Sequence, residues 1–478
     1  MQKESKSKKA KKRRRTYGIH LTSKEIFHQY ISPHIQEVLN QYIWTDFFAG
    51  EGNLILPILD LIPPDERIVF FQNQIYLFDV QPEMVKKCIE NTKLYGIPED
   101  IAQKNILLRD TLSDFPLFLK EKDLPIYHIT NPPYLYLGYI RKHKETEKYL
   151  PLFEGKNEGY QDLYQVAMME DLRNNIEDLI YIIPTNFLFG ASVSNKFRLD
   201  FLTHYEISRM LIFETKIFEF TGTNICVGFF QRKREPALEP VNFEGLKIKQ
   251  NDQKITKNYT LKPKFNYRAG SEFEEFLENY KCSNRIEVTY YLLKDQVSGN
   301  QGNYEVKVMD ANNYQNNEYK TLRLNVNKKL KEKIENNILY VRTVDTGSLE
   351  GRVGLGVISE DFNVRGIYVS GNPYRTHHIQ LFLEPQLSRE DQVLVRDYFN
   401  FILEYYRTKL DSEFLTTYKY SNAEYTRKYL GLTQTRKLIE TLPIIDLSKE
   451  DKRILKKAIS NGNWEKIVHK LKKSKKEI

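Results

Sequence analysis

Cysteine is scarce in this sequence: three residues in 478, Cys88, Cys226 and Cys282, far apart and without ligand spacing. Neither a disulfide framework nor a metal site is indicated, and buried thiols are the expectation. Long apolar runs are missing as well, and residues 1–15 are polar and basic, with no apolar core of a signal peptide. A soluble, cytoplasmic protein with no membrane partner is predicted. No tandem repeat is present. Basic charge is also scarcer than the total implies. The net charge is +9, but residues 3–15 carry nine Lys or Arg against Glu4, and residues 466–478 carry six Lys against Glu477. Setting aside those tails, at +8 and +5, leaves −4 for residues 16–465. Any basic groove is therefore local, and both tails are expected to be disordered.

What is present suffices for two or three domains. Hydrophobic residues make up 41% and aromatics 13% of the chain, enough for sizeable cores. The organising stretch is Ile129-Thr130-Asn131-Pro132-Pro133-Tyr134. Residues 126–130 read as a short buried strand, which the prolines end by fixing φ and removing two backbone donors. Free carbonyls, an amide and an aromatic ring then suit one kind of substrate, an exocyclic amino group on a heteroaromatic ring, whose lone pair is delocalised. Asn131 and the carbonyl of Pro132 can accept its two hydrogens, so that the nitrogen pyramidalises toward an electrophilic methyl. Tyr134 can stack on the ring. For the tetrapeptide by itself, an ordinary Asn-Pro-Pro turn with a half-buried tyrosine is an equal reading.

Upstream, Thr22 and Glu25 have capping-box spacing and predict a helix to about Leu39. Residues 42–48 form a strand that breaks at Ala49-Gly50-Glu51-Gly52-Asn53 and gives way to a helix from Leu54. A second strand, 75–78, ends in Asp79, placed to accept both hydroxyls of a ribose. The turn has neither a third glycine nor a Lys-Ser/Thr pair, so the ligand wanted is a ribose without phosphates. A helix over 81–95 leads to a third strand, 107–111. Asp110 near its end is either a reader of an adenine amino group or a solvated loop acid.

In this order, Asp46-Phe47-Phe48-Ala49-Gly50-Glu51-Gly52, Phe78-Asp79, Asp110 and Asn131-Pro132-Pro133-Tyr134 resemble the S-adenosylmethionine-dependent DNA adenine-N6 methyltransferases of type II restriction-modification systems. The arrangement is the gamma one, with cofactor motifs before the catalytic motif and a target-recognition domain last. The resemblance covers the first 235 residues. It implies a Rossmann-like α/β class I methyltransferase sheet with helices on both faces, followed by a mixed α+β recognition domain. It also implies S-adenosylmethionine as cofactor, double-stranded DNA as partner, a flipped-out adenine as target, and a monomer whose cognate restriction endonuclease acts separately. Residue by residue, Thr22 would touch the methionine part, and Asp46, Phe48, Ala49, Gly50 and Gly52 would form the methionine loop. Asp79 would hold the ribose, Val80 would pack on the adenine, and Asp110 would bond its amino group. Relatives often carry an aromatic after that last acid; here Thr111 follows, which leaves one face of the adenine unassigned or given to Phe115. Asn131, Pro132, Pro133 and Tyr134 would be catalytic, with Phe230 stacking on the target base from the opposite face. A one-residue shift of register hands that role to Phe229, and a core role for both phenylalanines stays open.

Beyond the catalytic strand, residues 160–167 open a helix, 179–188 form a strand and loop, and 221–233 hold the last strand of the sheet. The chain then divides into a disordered tail (1–15), a catalytic domain (16–235), a polar proline-bearing linker (236–264), a target-recognition domain (265–465) and a second tail (466–478). In the recognition half, 300–317 reads as a polar loop and 396–414 and 425–441 as helices. Residues 341–348 and 371–378 read as loops presenting base or phosphate contacts, Arg342 and Arg375 among them. His377-His378 opens a strand rather than binding metal. The same tetrapeptide serves enzymes that methylate the glutamine amide of release factors and some RNA adenine methylases, whose extra domain typically lies at the N-terminus. Here the cofactor motifs begin almost at once, and no nuclease domain is expected ahead of them in the same chain.

Overall fold

The computed structural model describes residues 22–215, 217–218, 224–249, 253–345, 351–417 and 427–476; the basic segment 1–15 lies outside them. The chain forms two compact units that divide between Ala269 and Gly270.

The first unit is built on nine strands: β1 (Ile43–Asp46), β2 (Ile75–Asp79), β3 (Ile106–Leu108), β4 (Ile126–Thr130), β5 (Asp178–Pro184), β6 (Tyr205–Phe213), β7 (Ile225–Arg232), β8 (Val241–Ile248) and β9 (Lys254–Leu261). They form one sheet in the order β3-β2-β1-β4-β5-β7-β6-β8-β9. β3 through β5 are parallel, and β7 inserts antiparallel between β5 and β6. Every residue of β1, β2 and β5 is buried, the pattern of parallel strands with helices packed on both faces. Its longer helices among the described residues are α1 (Arg67–Gln74), α2 (Pro82–Thr92), α3 (Glu99–Asn105), α4 (Leu163–Arg173) and α5 (Asn195–Leu202). With β2 on one side of β1 and β4 on the other, the strand order reverses at β1. The C-terminal ends of these three strands therefore bring Asp46, Asp79 and Asn131 to one edge, where α/β sheets hold their ligands.

Several local expectations are corrected. Thr22 caps no helix: Ser23 precedes the turn Lys24–Ile26, and the helix widens into a π turn over Phe27–Ile31. No α-helix follows Leu54; Leu56–Leu61 is a 3-10 turn, in which Pro57 supplies no backbone donor for a continuing helix. The largest correction concerns residues 236–264: within that expected linker, Val241–Ile248 and Lys254–Leu261 are strands. β8 pairs with β9 from Val241↔Leu261 to Ile248↔Lys254 and runs parallel to β6. Val241, Phe243 and Gly245 are buried while Asn242 and Glu244 are exposed, a period of two. Pro236, Pro240 and Pro263, which suggested a linker, flank the strands without interrupting them.

The second unit holds β10 (Glu287–Tyr290), β11 (Leu292–Leu293), β12 (Gln301–Gln315), β13 (Glu318–Val326), β14 (Leu339–Arg342), β15 (Val344–Asp345), β16 (Gly354–Val357), β17 (Gly366–Val369), β18 (His378–Glu384), β19 (Thr416–Thr417) and β20 (Lys428–Tyr429). Two four-stranded sheets, β10-β18-β14-β16 and β11-β17-β12-β13, accompany a small sheet β15-β20-β19. The expected polar loop 300–317 is mostly β12, anchored by buried Val306, Val308 and Met309. The helix expected over 396–414 is α6, Arg389–Leu410, capped by Ser388, whose side chain accepts from the Asp391 N–H. The one expected over 425–441 spans only Leu432–Ile439. Of the two expected reader loops, 341–345 is mostly strand and 346–350 lies outside the described residues. Pro373–Arg375 is a 3-10 turn, and His378 opens β18; the Arg375 side chain is outside the description. The C-terminal segment is not a tail. It forms α7, Trp464–Lys476, with Ile467 and Leu471 buried four residues apart and the Trp464 ring stacked on Tyr405 at 3.6 Å between centroids. Its lysines masked a narrow apolar stripe.

Candidate functional site

Asp46, at the end of β1, is buried among apolar strands, and its Oδ1 accepts two bonds, from Thr130 Oγ1 at 2.5 Å and the Phe48 N–H at 2.8 Å. Burial pushes its carboxyl up to about 6, against the pull of its hydrogen bonds from Thr130 and Phe48. The loop that follows is fixed at successive backbone groups. The Phe47 N–H donates to His128 Nε2 at 3.1 Å, the Phe47 carbonyl accepts from Thr111 Oγ1 at 3.1 Å, and the Ala49 N–H donates to the Phe78 carbonyl at 2.8 Å. The Gly50 N–H reaches Asp79 Oδ2 at 2.9 Å, while Asp79 Oδ1 accepts from the Gln81 N–H at 2.8 Å. Asp79 is thus oriented by one bond on each oxygen, and burial raises its pKa.

The two glycines of the loop differ in role. Gly50, at φ 54°, lines the cavity. Gly52, at φ 82°, does not line it; a Cβ there would come within 2.7 Å of Cys88 Sγ on α2 and of Leu56 Cδ1. Its smallness lets the loop close onto the helix.

At the end of β4, the Asn131 amide nitrogen donates to Thr22 Oγ1 at 2.9 Å, and its Oδ1 accepts from the Tyr134 hydroxyl at 2.5 Å. Asn53 Nδ2 donates to the Thr22 carbonyl at 3.0 Å, so the N-terminal segment bridges the loop and the Asn-Pro-Pro turn. Thr22, taken as a cap, is a buried part of the site. The turn itself rests on the start of α4: the Leu135 N–H donates to Asp162 Oδ1 at 2.8 Å and the Leu163 N–H to the Leu135 carbonyl at 3.2 Å.

These groups enclose a cavity of about 450 Å³. Of the residues singled out from the sequence, Thr22, Asp46, Phe48, Ala49, Gly50, Asp79, Val80, Asp110, Asn131 and Pro133 line it. Val80 keeps 52% of its surface exposed, an apolar side chain offered to a ligand. Asp110 folds its Oδ1 back onto the Leu112 N–H at 3.3 Å. Pro132, Tyr134 and Phe230 are not on the wall. Tyr134 is 4% exposed, and burial raises its hydroxyl pKa far above the ordinary value. Phe230, 1% exposed, meets Phe187 and Phe201 edge to face at 5.6 and 5.4 Å. Phe229, on the opposite face of β7, is also buried and packs edge-on against His34. Both phenylalanines are core residues in this arrangement. Thr111, which stands where relatives have an aromatic, braces the loop, and Phe115 packs edge-on against Phe47 at 5.2 Å, outside the cavity.

The sequence reading missed one wall. Lys148, Tyr149, Pro151 and Leu152, from the 3-10 helix Lys144–Phe153, close the side of the cavity beside Leu163. No spacing in that stretch marks it. Among the described residues no cluster of His, Cys, Asp or Glu could hold a metal ion, and no helix is long and apolar enough to cross a membrane.

A family model for N-6 DNA methylases matches residues 7–330. No curated protein matches the chain. Among solved structures, the type IIL restriction-modification enzyme MmeI in complex with DNA is similar over 97% of this chain and 75% of its own, at 12% identity and a TM-score of 0.53. A nuclease-deletion mutant of the type ISP restriction-modification enzyme LlaGI, bound to a DNA substrate mimic, is similar over 83% of this chain and 52% of its own, at 10% identity and a TM-score of 0.50. At such identities the likeness is one of fold. The DrdV–DNA complex matches 53% of this chain at 13% identity and a TM-score of 0.37, and this chain spans 31% of its length.

Proposed function

The chain belongs to the N-6 DNA methylase family, and from that premise we propose that it transfers a methyl group from S-adenosylmethionine to N6 of an adenine flipped out of duplex DNA. The observation that carries this reading is that Asn131, at the end of β4, lines the same cavity as Asp46 and Asp79, at the ends of β1 and β2. The cavity fits the cofactor. Asp79, held at both oxygens, has lone pairs left for two ribose hydroxyls; Val80 offers an apolar face to a purine; Asp110 stands next along the sheet edge. The loop around Gly50 approaches closely through positive φ, yet carries no cationic cradle for phosphates. Bound there, S-adenosylmethionine would supply an electrophilic methyl on a sulfonium.

The remaining chemistry belongs to the chain. Asn131 Oδ1 and the Pro132 carbonyl accept the two amino hydrogens of the base, and these oriented dipoles stabilise the positive charge that develops on nitrogen. Neither oxygen acts as a base; the product cation releases its proton to solvent. Tyr134 fixes the Asn131 amide through its hydroxyl, and its ring stacks on the base only when uncovered from its present packing. Phe230 drops out of the proposal because its ring is committed to the core. All residues lining the cavity lie between positions 22 and 163, and the proposal takes the chain as acting as a monomer. The DNA bound to MmeI, across a match covering nearly all of this chain, supports duplex DNA as substrate, restriction-modification as the context and the second unit as reader of the sequence. A cognate endonuclease would act separately, in the cytoplasm of a prokaryotic cell. Methylation of RNA or of a protein glutamine, which the tetrapeptide alone permits, gains nothing from a DNA methylase family match.

The test is methylation-sensitive sequencing of DNA from cells expressing this chain alone. N6-methyladenine at one recurring sequence is the expected result. Unmodified DNA from cells holding abundant soluble protein would overturn the reading.

A further inference from the structure

Beneath the cofactor loop lies a buried polar relay that the methyl-transfer chemistry never touches. His128, in the middle of β4, has no exposed surface. Its Nε2 accepts the Phe47 N–H at 3.1 Å, and its Nδ1 lies 2.7 Å from Asp171 Oδ2 on α4. The same carboxylate oxygen accepts from the Tyr181 hydroxyl of β5 at 2.5 Å. A ring nitrogen that accepts a hydrogen bond carries no proton, so Nδ1 holds the proton and donates it to Asp171. The carboxylate therefore sets the tautomer, and the tautomer makes Nε2 an acceptor for the loop.

An aliphatic residue would fill this position at far lower cost. Burying a His–Asp pair removes two polar groups from water, which hydrophobic packing would do without penalty. What the pair contributes is direction. The Phe47 peptide follows Asp46 and precedes Phe48, and its N–H points into the sheet, where only a buried acceptor can satisfy it. Two positions further along β4, Thr130 holds the Asp46 carboxylate, and one position beyond that stands Asn131. On the other side, α4 carries Asp171 in the same helix whose first residue, Leu163, lines the cavity.

We infer that His128, oriented by Asp171, is a positioning residue for cofactor binding: it pins the Phe47 peptide so that Asp46, Phe48 and Gly50 face the cavity. The inference rests on the reading of that cavity as the S-adenosylmethionine site.

Three substitutions separate this role from mere filling of the core. His128→Leu keeps the bulk and removes both bonds. His128→Asn places its amide where Nδ1 lies, reaching Asp171 but leaving the Phe47 N–H without an acceptor. His128→Gln carries an oxygen to the place of Nε2. Each full-length protein is titrated with S-adenosylmethionine by calorimetry, and kcat is measured with the cofactor saturating. His128→Leu and His128→Asn should weaken binding by about tenfold or more, the cost of a buried donor left unpaired. kcat should stay within about threefold, since the base-binding groups are untouched, and His128→Gln should recover most of the affinity. Where His128→Leu does not accumulate, the contrast between Asn and Gln decides. Equal affinity of the Asn and Gln variants would overturn the inference, as would a loss confined to kcat. A wild-type protein that binds no S-adenosylmethionine would instead overturn the cofactor reading beneath it.

Discussion

The Asn131 amide nitrogen donates to the Thr22 hydroxyl at 2.9 Å, and this bond fixes which way the Asn131 amide faces. The Thr22 carbonyl in turn accepts from Asn53 Nδ2 at 3.0 Å. Asn131→Ala should lower the rate of methyl transfer by about a hundredfold or more, the usual cost of one oriented acceptor. Cofactor affinity, read by calorimetry, should hardly change. More than about a tenth of the wild-type rate in the variant would remove Asn131 from the role assigned to it.

Tyr134 has one phenolic proton and two acceptors within reach, Asn131 Oδ1 at 2.5 Å and the Ile182 carbonyl at 2.7 Å. Tyr134→Phe keeps the ring and deletes the hydroxyl, so Asn131 loses one of its supports. kcat should fall by roughly tenfold, on the scale of one hydrogen bond to an acting group, while S-adenosylmethionine binds as before. A variant with unchanged kcat would confine Tyr134 to packing.

Asp79→Ala should act on binding and not on chemistry. It removes the acceptor proposed for the ribose and also frees the Gly50 and Gln81 N–H groups. Charge-assisted bonds of this kind are worth roughly 1.5–3 kcal/mol, so the dissociation constant should rise about tenfold to a hundredfold. Asp79→Asn, which keeps an oxygen for one of the loop amides, should lie between. Unchanged titration curves would show that the second strand holds no ribose.

Acidity should move apo stability and cofactor affinity in opposite directions. Burial holds Asp46 at about 6, above its ordinary 3.8, so in that interval the native state binds more protons than the unfolded one. The contribution of this group to stability is then fully present below 3.8 and is lost as pH rises through about 6. A methionine ammonium facing Asp46 requires the ionised form, so its binding should strengthen over the same interval. Melting curves with and without S-adenosylmethionine, taken from pH 5 to pH 8, should show the cofactor-induced shift growing with pH. Asp46→Asn should flatten both trends; a wild-type shift independent of pH would separate the ammonium from Asp46.

A catalytic fragment should end after residue 269 and not near 234. Ending it near 234 deletes β8 and β9 and uncovers the edge of β6, which pairs along Arg209 to Phe213 with Glu244 to Ile248. A bare edge strand of apolar residues invites association. The shorter fragment should aggregate, whereas residues 1–269 should stay soluble, bind S-adenosylmethionine weakly and lose preference for one DNA sequence. Size-exclusion chromatography and competition between specific and random duplexes check both halves of this expectation.

The sheet was legible in the sequence because β1, β2 and β4 are short apolar runs that each end in, or run directly into, a polar residue. Asp46, Asp79 and Asn131 announced themselves by that position. Chemistry carried on packed surfaces was harder to read. Phe229 and Phe230 are buried on opposite faces of β7, so Gly228-Phe229-Phe230 has no alternation that could single out one ring for a ligand. His128 looks like any residue inside a strand until Phe47 and Asp171, both distant in sequence, are brought beside it. β8 and β9 were hidden by prolines that lie outside them, and α7 by lysines that cover all but a narrow stripe. Thr22 has the spacing of a cap, but its partners lie 31 and 109 residues away, a distance no local pattern can register.

Gly52 has one consequence of a kinetic kind. With no side chain, it allows the Cys88 thiol to lie directly under the loop, 1% exposed, and burial pushes that thiol far up from its ordinary pKa. Such a sulfur cannot be alkylated while the loop is closed. Cys226 is buried as well, and only Cys282 is partly exposed. Pulse labelling of the unmodified protein followed by peptide mapping would therefore time the lifting of the loop from α2 at a natural clock, and a ligand seated above Gly50 should slow that clock without touching it.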